Sequence, residues 1–236
     1  MIVISRVWTG GGDTGHTHLA DMSRIPKTDA RIAACGDADE VNSVLGTALV
    51  EDLPEVVGEI LAQVQNELFD LGADLATPVV PDPAHPPLRI DQAAISRLEA
   101  WCDEFSEELP TLRSFILPGG NRASAALHHA RTVARRAERT AWAAVAAHGD
   151  SMNPLTVTYL NRLSDLLFVL ARSVGQSHGE RLWVPGADRT PPDARARRNR
   201  DRIIASTASG AQERSDQDDS GRRHSAPGSA GPADSR

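Results

Sequence analysis

Pro54-Glu55-Val56-Val57-Gly58-Glu59-Ile60-Leu61-Ala62-Gln63-Val64-Gln65-Asn66-Glu67-Leu68-Phe69-Asp70-Leu71-Gly72-Ala73-Asp74-Leu75-Ala76 is the stretch on which the fold turns. Val57, Ile60, Leu61, Val64, Leu68, Leu71 and Leu75 recur at intervals of three and four, which puts them on one stripe of an α-helix. Proline suits a first helical turn, so the spacing predicts a helix from Pro54 to about Ala76. A stripe of this kind must be covered by other helices.

The flanking sequence supplies them. Upstream, helical spacing is predicted from Asp37, with Val41, Val44, Leu45 and Ala48 in period. Downstream, five prolines between Pro78 and Pro87 mark a loop or extended linker. Asp91 is a natural N-cap for a helix over Gln92–Glu108, with Ile95, Leu98, Trp101 and Phe105 facing inward. Ser114 to Gly120 is an apolar segment closed by a Pro-Gly-Gly turn. A long helix follows from about Ala123 to His148, and a fifth from about Pro154 to Val174. The fold class is therefore all-α, a five-helix bundle. The first 30 residues, rich in Gly, Thr, Asp and His, read as a short strand and then a loop. We expect a loop region over 1–35, the bundle over 36–189 and a disordered tail over 190–236. Ile203 and Ile204 are the only large apolar residues after Thr190, too few to offset chain entropy.

Composition excludes several classes. A net charge of −7 argues against a general nucleic-acid binder, which needs a basic surface. No stretch of about 20 apolar residues is available to span a membrane, and Met1 to Arg6 is too short an apolar run for a signal peptide. Cys35 and Cys102 form neither a disulfide framework nor a metal-binding pair, so a reducing, cytoplasmic setting is expected.

Three polar constellations stand out. Gly10-Gly11-Gly12-Asp13-Thr14-Gly15-His16-Thr17 contains G-x-G-x-x-G and nearly a Walker A loop, but the lysine is His16 and no helix follows, so neither motif applies. Its backbone N–H groups can still cradle phosphate, with Arg24 and Lys27 nearby; a plain flexible turn is the other reading. On the fourth helix Arg131, Arg135 and Glu138 share a face, while Arg136 and Arg139 turn toward another. Such a row either grips a polyphosphate or is a solvated surface laced with ion pairs. Asn161 and Asp165 border the apolar face of the fifth helix, as ligand contacts or as a structural hydrogen-bonding pair. Asp37, Asp39, Glu40 and Asn42 open the first helix, where acids suit its dipole; they can also pair with the arginines of the fourth.

Taken together these segments resemble the PduO-type corrinoid adenosyltransferases. Thr9, Gly12, Asp13, Gly15 and Thr17 match that family's N-terminal loop. Ser23-Arg24-Ile25-Pro26-Lys27 and Ala38-Asp39-Glu40-Val41-Asn42 match the next two motifs. Gln65 to Ala76, Ser114 to Gly120, Arg131 to Arg139 and Tyr159 to Phe168 follow in the family's order, so the resemblance covers residues 3 to about 189.

The resemblance implies a homotrimer that moves the 5′-deoxyadenosyl group of ATP onto the cobalt of cob(I)alamin, releasing triphosphate. It implies ATP contacts from Thr9, Gly12, Asp13, Gly15, Thr17, Lys27, Arg135, Arg136, Glu138, Arg139 and Asn161. Phe115 is implied to pack under the corrin ring and keep the lower ligand off cob(II)alamin, easing its reduction. Arg131 is implied to face Asp39 of a neighbouring subunit, and Arg135 to act with Lys27 and Mg²⁺ on the leaving triphosphate. No side chain is expected as a metal ligand. The implied partners are a flavin reductase supplying electrons and an adenosylcobalamin-dependent mutase receiving product. Gly10 and Gly11 replace a basic residue and a Thr or Asn of the family loop, and Thr14, His16 and His18 also depart from it. Those departures keep open an impaired paralogue that carries or senses cobalamin or ATP. A P-loop hydrolase lacks the required lysine and helix.

Overall fold

The computed structural model describes Trp8, residues 10–83, residues 85–186, Arg198 and Arg202. The leading strand, Thr9 and the tail, expected from sequence, lie outside the described residues, apart from Arg198 and Arg202. The chain divides into two units, 1–183 and 184–236, and every helix named below belongs to the first.

The five helices are α1 (Ala30–Leu49), α2 (Glu55–Leu75), α3 (Gln92–Glu107), α4 (Arg122–His148) and α5 (Leu155–Gly175). α4 packs against α1 on one side and α5 on the other; α2 lies on α1, and α3 on α5. Both helices bury many small residues: Ala34, Ala38 and Ala48 on α1 and Ala130, Ala134, Ala137, Ala141 and Ala144 on α4 are all buried. Alanine lets two helices approach closely, and it also hides the seam from a search for large apolar residues.

The first helix begins a full two turns earlier than its sequence pattern suggests. Asp29 is its N-cap, accepting from the Arg31 backbone N–H at 2.8 Å. Asp37, Asp39, Glu40 and Asn42 therefore sit inside the helix, beyond reach of its N-terminal dipole, and the reading of them as first-turn acids is overturned. The other helix bounds fall within a residue or so of expectation.

Before α1 comes a hairpin of β1 (His16–His18) and β2 (Arg24–Pro26), antiparallel with Thr17 opposite Ile25. The Ala20 N–H donates to the carbonyl of Ala76 at 3.0 Å, tying the hairpin to the end of α2.

Two buried acids fix α2 to its neighbours. Glu67 accepts from the Tyr159 hydroxyl at 2.8 Å and from Arg97 at 2.7 and 2.9 Å. Asp74, 0% exposed at its side chain, accepts from Arg89, from the Ile90 N–H at 2.8 Å and from Asn153 at 2.7 Å. Buried carboxylates need this density of donors. Two acids in the long Gln65–Ala76 motif are thus engaged in holding the bundle together.

Candidate functional site

The glycine-rich loop folds through two tight turns, Asp13 N–H to Gly10 carbonyl and Gly15 N–H to Gly12 carbonyl, each 3.2 Å. Gly10 has φ +71°, a conformation that side chains resist. The Lys27 N–H donates to the Gly15 carbonyl at 2.9 Å, and the Lys27 side chain lies so close over Gly12 that a β-carbon there would stand 2.7 Å from Nζ. Loop and ammonium thus form one unit. Arg24 donates to the Thr14 hydroxyl at 3.2 Å and braces it; Asp13 is exposed and Thr17 is half-buried on β1.

On α4 the arginines separate by role. Arg135 and Arg139 are exposed, and Arg139 donates to the Arg135 carbonyl at 3.0 Å. Arg136 turns to α1 of the same chain, pairing with Glu40 and lying 3.7 Å from Asp37. Arg131 is half-buried, and its Nε has no hydrogen-bond partner among the described residues. Burial and then Arg135 push its pKa down. Asp39 is exposed, with no ion pair among the described residues. Glu138 accepts from Asn161 Nδ2 at 3.2 Å, joining α4 to α5, while Asn161 Oδ1 accepts from Arg162 at 2.9 Å. Arg162 goes on to Glu99 at 2.8 Å and lies 3.9 Å from Asp165. Asn161 is thus a structural tie with one N–H to spare.

Phe115 lies elsewhere along the bundle, 76% exposed, its ring meeting Trp183 edge-on with centroids 6.1 Å apart. The segment after α5 holds it there: the Leu117 N–H donates to the Arg181 carbonyl at 2.8 Å, and the Trp183 N–H to the Phe115 carbonyl at 2.7 Å. Behind the Ile116–Gly120 loop opens a cavity of about 550 Å³, reaching Ser124 and His128 of α4 and Ala171, Arg172 and Gly175 of α5. That is within the usual range of small-molecule sites. Sequence reading missed this cavity, because its walls are brought together from the start of α4, the end of α5 and the segment beyond it.

Helix α4 links the two regions. Ser124 and His128 face the cavity, and Arg131, Arg135, Glu138 and Arg139 follow along the next turns. At 1.5 Å per residue the whole set spans roughly 20 Å.

The sequence model of the cobalamin adenosyltransferase family matches residues 7–174. The chain belongs to that family. It is 56% identical over 188 residues to the corrinoid adenosyltransferase of Mycobacterium tuberculosis, covering 79% of this chain and 97% of that one. It is 38% identical over 187 residues to the human corrinoid adenosyltransferase MMAB, covering 77% and 74% of the two chains. Among solved structures it is similar to a variant PduO-type ATP:corrinoid adenosyltransferase from Lactobacillus reuteri complexed with cobalamin and ATP. That match has a TM-score of 0.71 and 33% identity, over 76% of this chain and all of that one. The adenosyltransferase fold here is the all-α, five-helix bundle expected from sequence.

No helix among the described residues is long and apolar enough to cross a membrane. No group of three or more His, Cys, Asp and Glu among them is placed to hold a metal ion.

Proposed function

We propose that this chain transfers the 5′-deoxyadenosyl group of ATP to cob(I)alamin, giving adenosylcobalamin and triphosphate. The observation that carries it is the single helix α4, which lines a cavity beside Phe115 and then presents a row of arginines. The cobalt lone pair attacks the ribose 5′ carbon, the C–O bond to triphosphate breaks, and the electron pair leaves on the triphosphate oxygen. No proton is transferred, so the step needs no acid–base pair. Charge builds on the triphosphate, where Lys27 and Arg135 stabilise it. Mg²⁺ bound with ATP would add positive charge against the triphosphate, alongside Lys27 and Arg135. Exposed Phe115 packs beneath the corrin and keeps a lower ligand away from cobalt.

The Arg131 Nε and the Asp39 carboxylate, neither paired among the described residues, support a contact between subunits of a homotrimer, with the site completed there. Asp39→Ala should weaken both assembly and turnover; an unchanged trimer at full activity would remove that contact from the account. A flavin reductase as electron source and a mutase as recipient suit the same chemistry, in a cytoplasmic setting. Phosphorus NMR of the spent reaction tests the bond cleaved. Intact triphosphate, equal to the adenosylcobalamin formed, is expected; phosphate or pyrophosphate from the enzyme itself would contradict it.

A further inference from the structure

The cavity wall holds one polar group that the reaction above does not use. His128 is 4% exposed, its Nδ1 is buried without a hydrogen-bond partner, and Nε2 has none among the described residues. The other buried polar side chains lining the cavity are committed. The Ser124 hydroxyl donates to the Ala171 carbonyl at 2.8 Å, and Arg172 is held by Glu180 at 2.6 Å and the Pro110 carbonyl at 2.7 Å. Phe168 of α5 supports the imidazole, ring centroids 6.1 Å apart. Nδ1 is closed off by the protein, so Nε2 is the nitrogen that a ligand in the cavity can reach, and such a ligand would supply its missing partner.

The ring's charge state narrows the partner. Burial, and then the neighbouring Arg131, push the His128 pKa below its ordinary value, outweighing Glu180. A neutral imidazole offers one donor and one acceptor. A carboxamide, which has both, can meet Nε2 in either tautomer.

The geometry points to His128 as a corrinoid-binding residue that hydrogen-bonds a peripheral carboxamide of the macrocycle from the floor of the Ile116–Gly120 cavity. It rests on the adenosyltransferase reading and adds to it a preference for amide-bearing over acid-bearing tetrapyrroles. His128 touches no reacting atom, so its contribution falls on corrinoid binding and not on the transfer step.

The test uses full-length protein with chemically reduced cobalamin, with KM for corrinoid and for ATP measured separately. His128→Leu should raise KM for corrinoid about fivefold to tenfold, the worth of one hydrogen bond, leave KM for ATP and kcat unchanged, and leave Tm the same or higher, since a buried unpaired nitrogen is removed. His128→Asn, which keeps a donor and an acceptor, should recover most of the loss. Cobalamin with single peripheral amides hydrolysed to acids should bind the wild type less well at one position, a discrimination that His128→Leu loses. In the wild type, the His128 ring-nitrogen NMR resonances should shift when cobalamin is added. An unchanged corrinoid KM in His128→Leu, an equally impaired His128→Asn, or nitrogen resonances blind to cobalamin would each overturn the assignment. If the wild type makes no adenosylcobalamin, the enzymatic reading fails; if it does and these signatures are absent, only the role of His128 fails.

Discussion

The Lys27 ammonium lies over Gly12 at a distance that leaves no room for a β-carbon, which would stand 2.7 Å from Nζ. The contact is with the flexible end of the lysine side chain, so a methyl at Gly12 would displace the ammonium rather than strain the loop. Gly12→Ala should push Lys27 aside and raise KM for ATP roughly tenfold, the worth of a charge-assisted contact. Lys27→Met should do the same, and the double variant should be no worse than either alone, because one interaction is lost once. Additive losses measured in steady-state kinetics would separate the two residues.

Gly10 stands where the family carries a basic residue, and its φ of +71° makes arginine a poor replacement. A side chain in that conformation costs about 1–2 kcal/mol. Gly10→Arg is accordingly expected to leave activity unchanged or reduce it. An increase of tenfold or more would identify an impaired site that the lost charge had crippled.

Asp74 is a stability residue. Its side chain is fully buried among Arg89, Asn153 and the Ile90 N–H. Asp74→Ala strands those donors at a cost of about 3 kcal/mol, lowering Tm by roughly 6–12 °C. Calorimetry checks the figure, and a shift under 2 °C would show the network to be dispensable.

Asp29 caps α1 and pairs with His148 Nε2 at 2.7 Å. Its pKa is lowered: burial opposes the shift, but the Arg31 N–H and His148 outweigh it. A depressed folded pKa gives stability that is present above the unfolded value of about 3.9 and lost as pH falls through the folded one. Asp29→Asn should therefore lose stability at pH 7 and differ little from wild type near pH 2. Parallel denaturation curves across that range would contradict this.

Much of the bundle was legible because Leu, Ile and Val at helical spacing mark α2, α3 and α5 directly. The start of α1 was not, because Ala30, Ala33 and Ala34 give no apolar period and Asp29 caps a turn that looks like loop. The arginines were visible as a row, but only the packed structure separates Arg136, paired to Glu40, from Arg131, whose Nε has no hydrogen-bond partner among the described residues. His128 sits among alanines and polar residues in sequence. Its burial depends on Phe168 and the Ile116–Gly120 loop, which no local pattern brings to it.

The most direct test is anaerobic turnover of purified protein with MgATP and chemically reduced cobalamin, followed by visible spectroscopy. Adenosylcobalamin formed over many turnovers, with loss of rate in Arg135→Ala, is the predicted result. Cobalamin bound without any cobalt–carbon product would contradict the account and make the chain a corrinoid carrier.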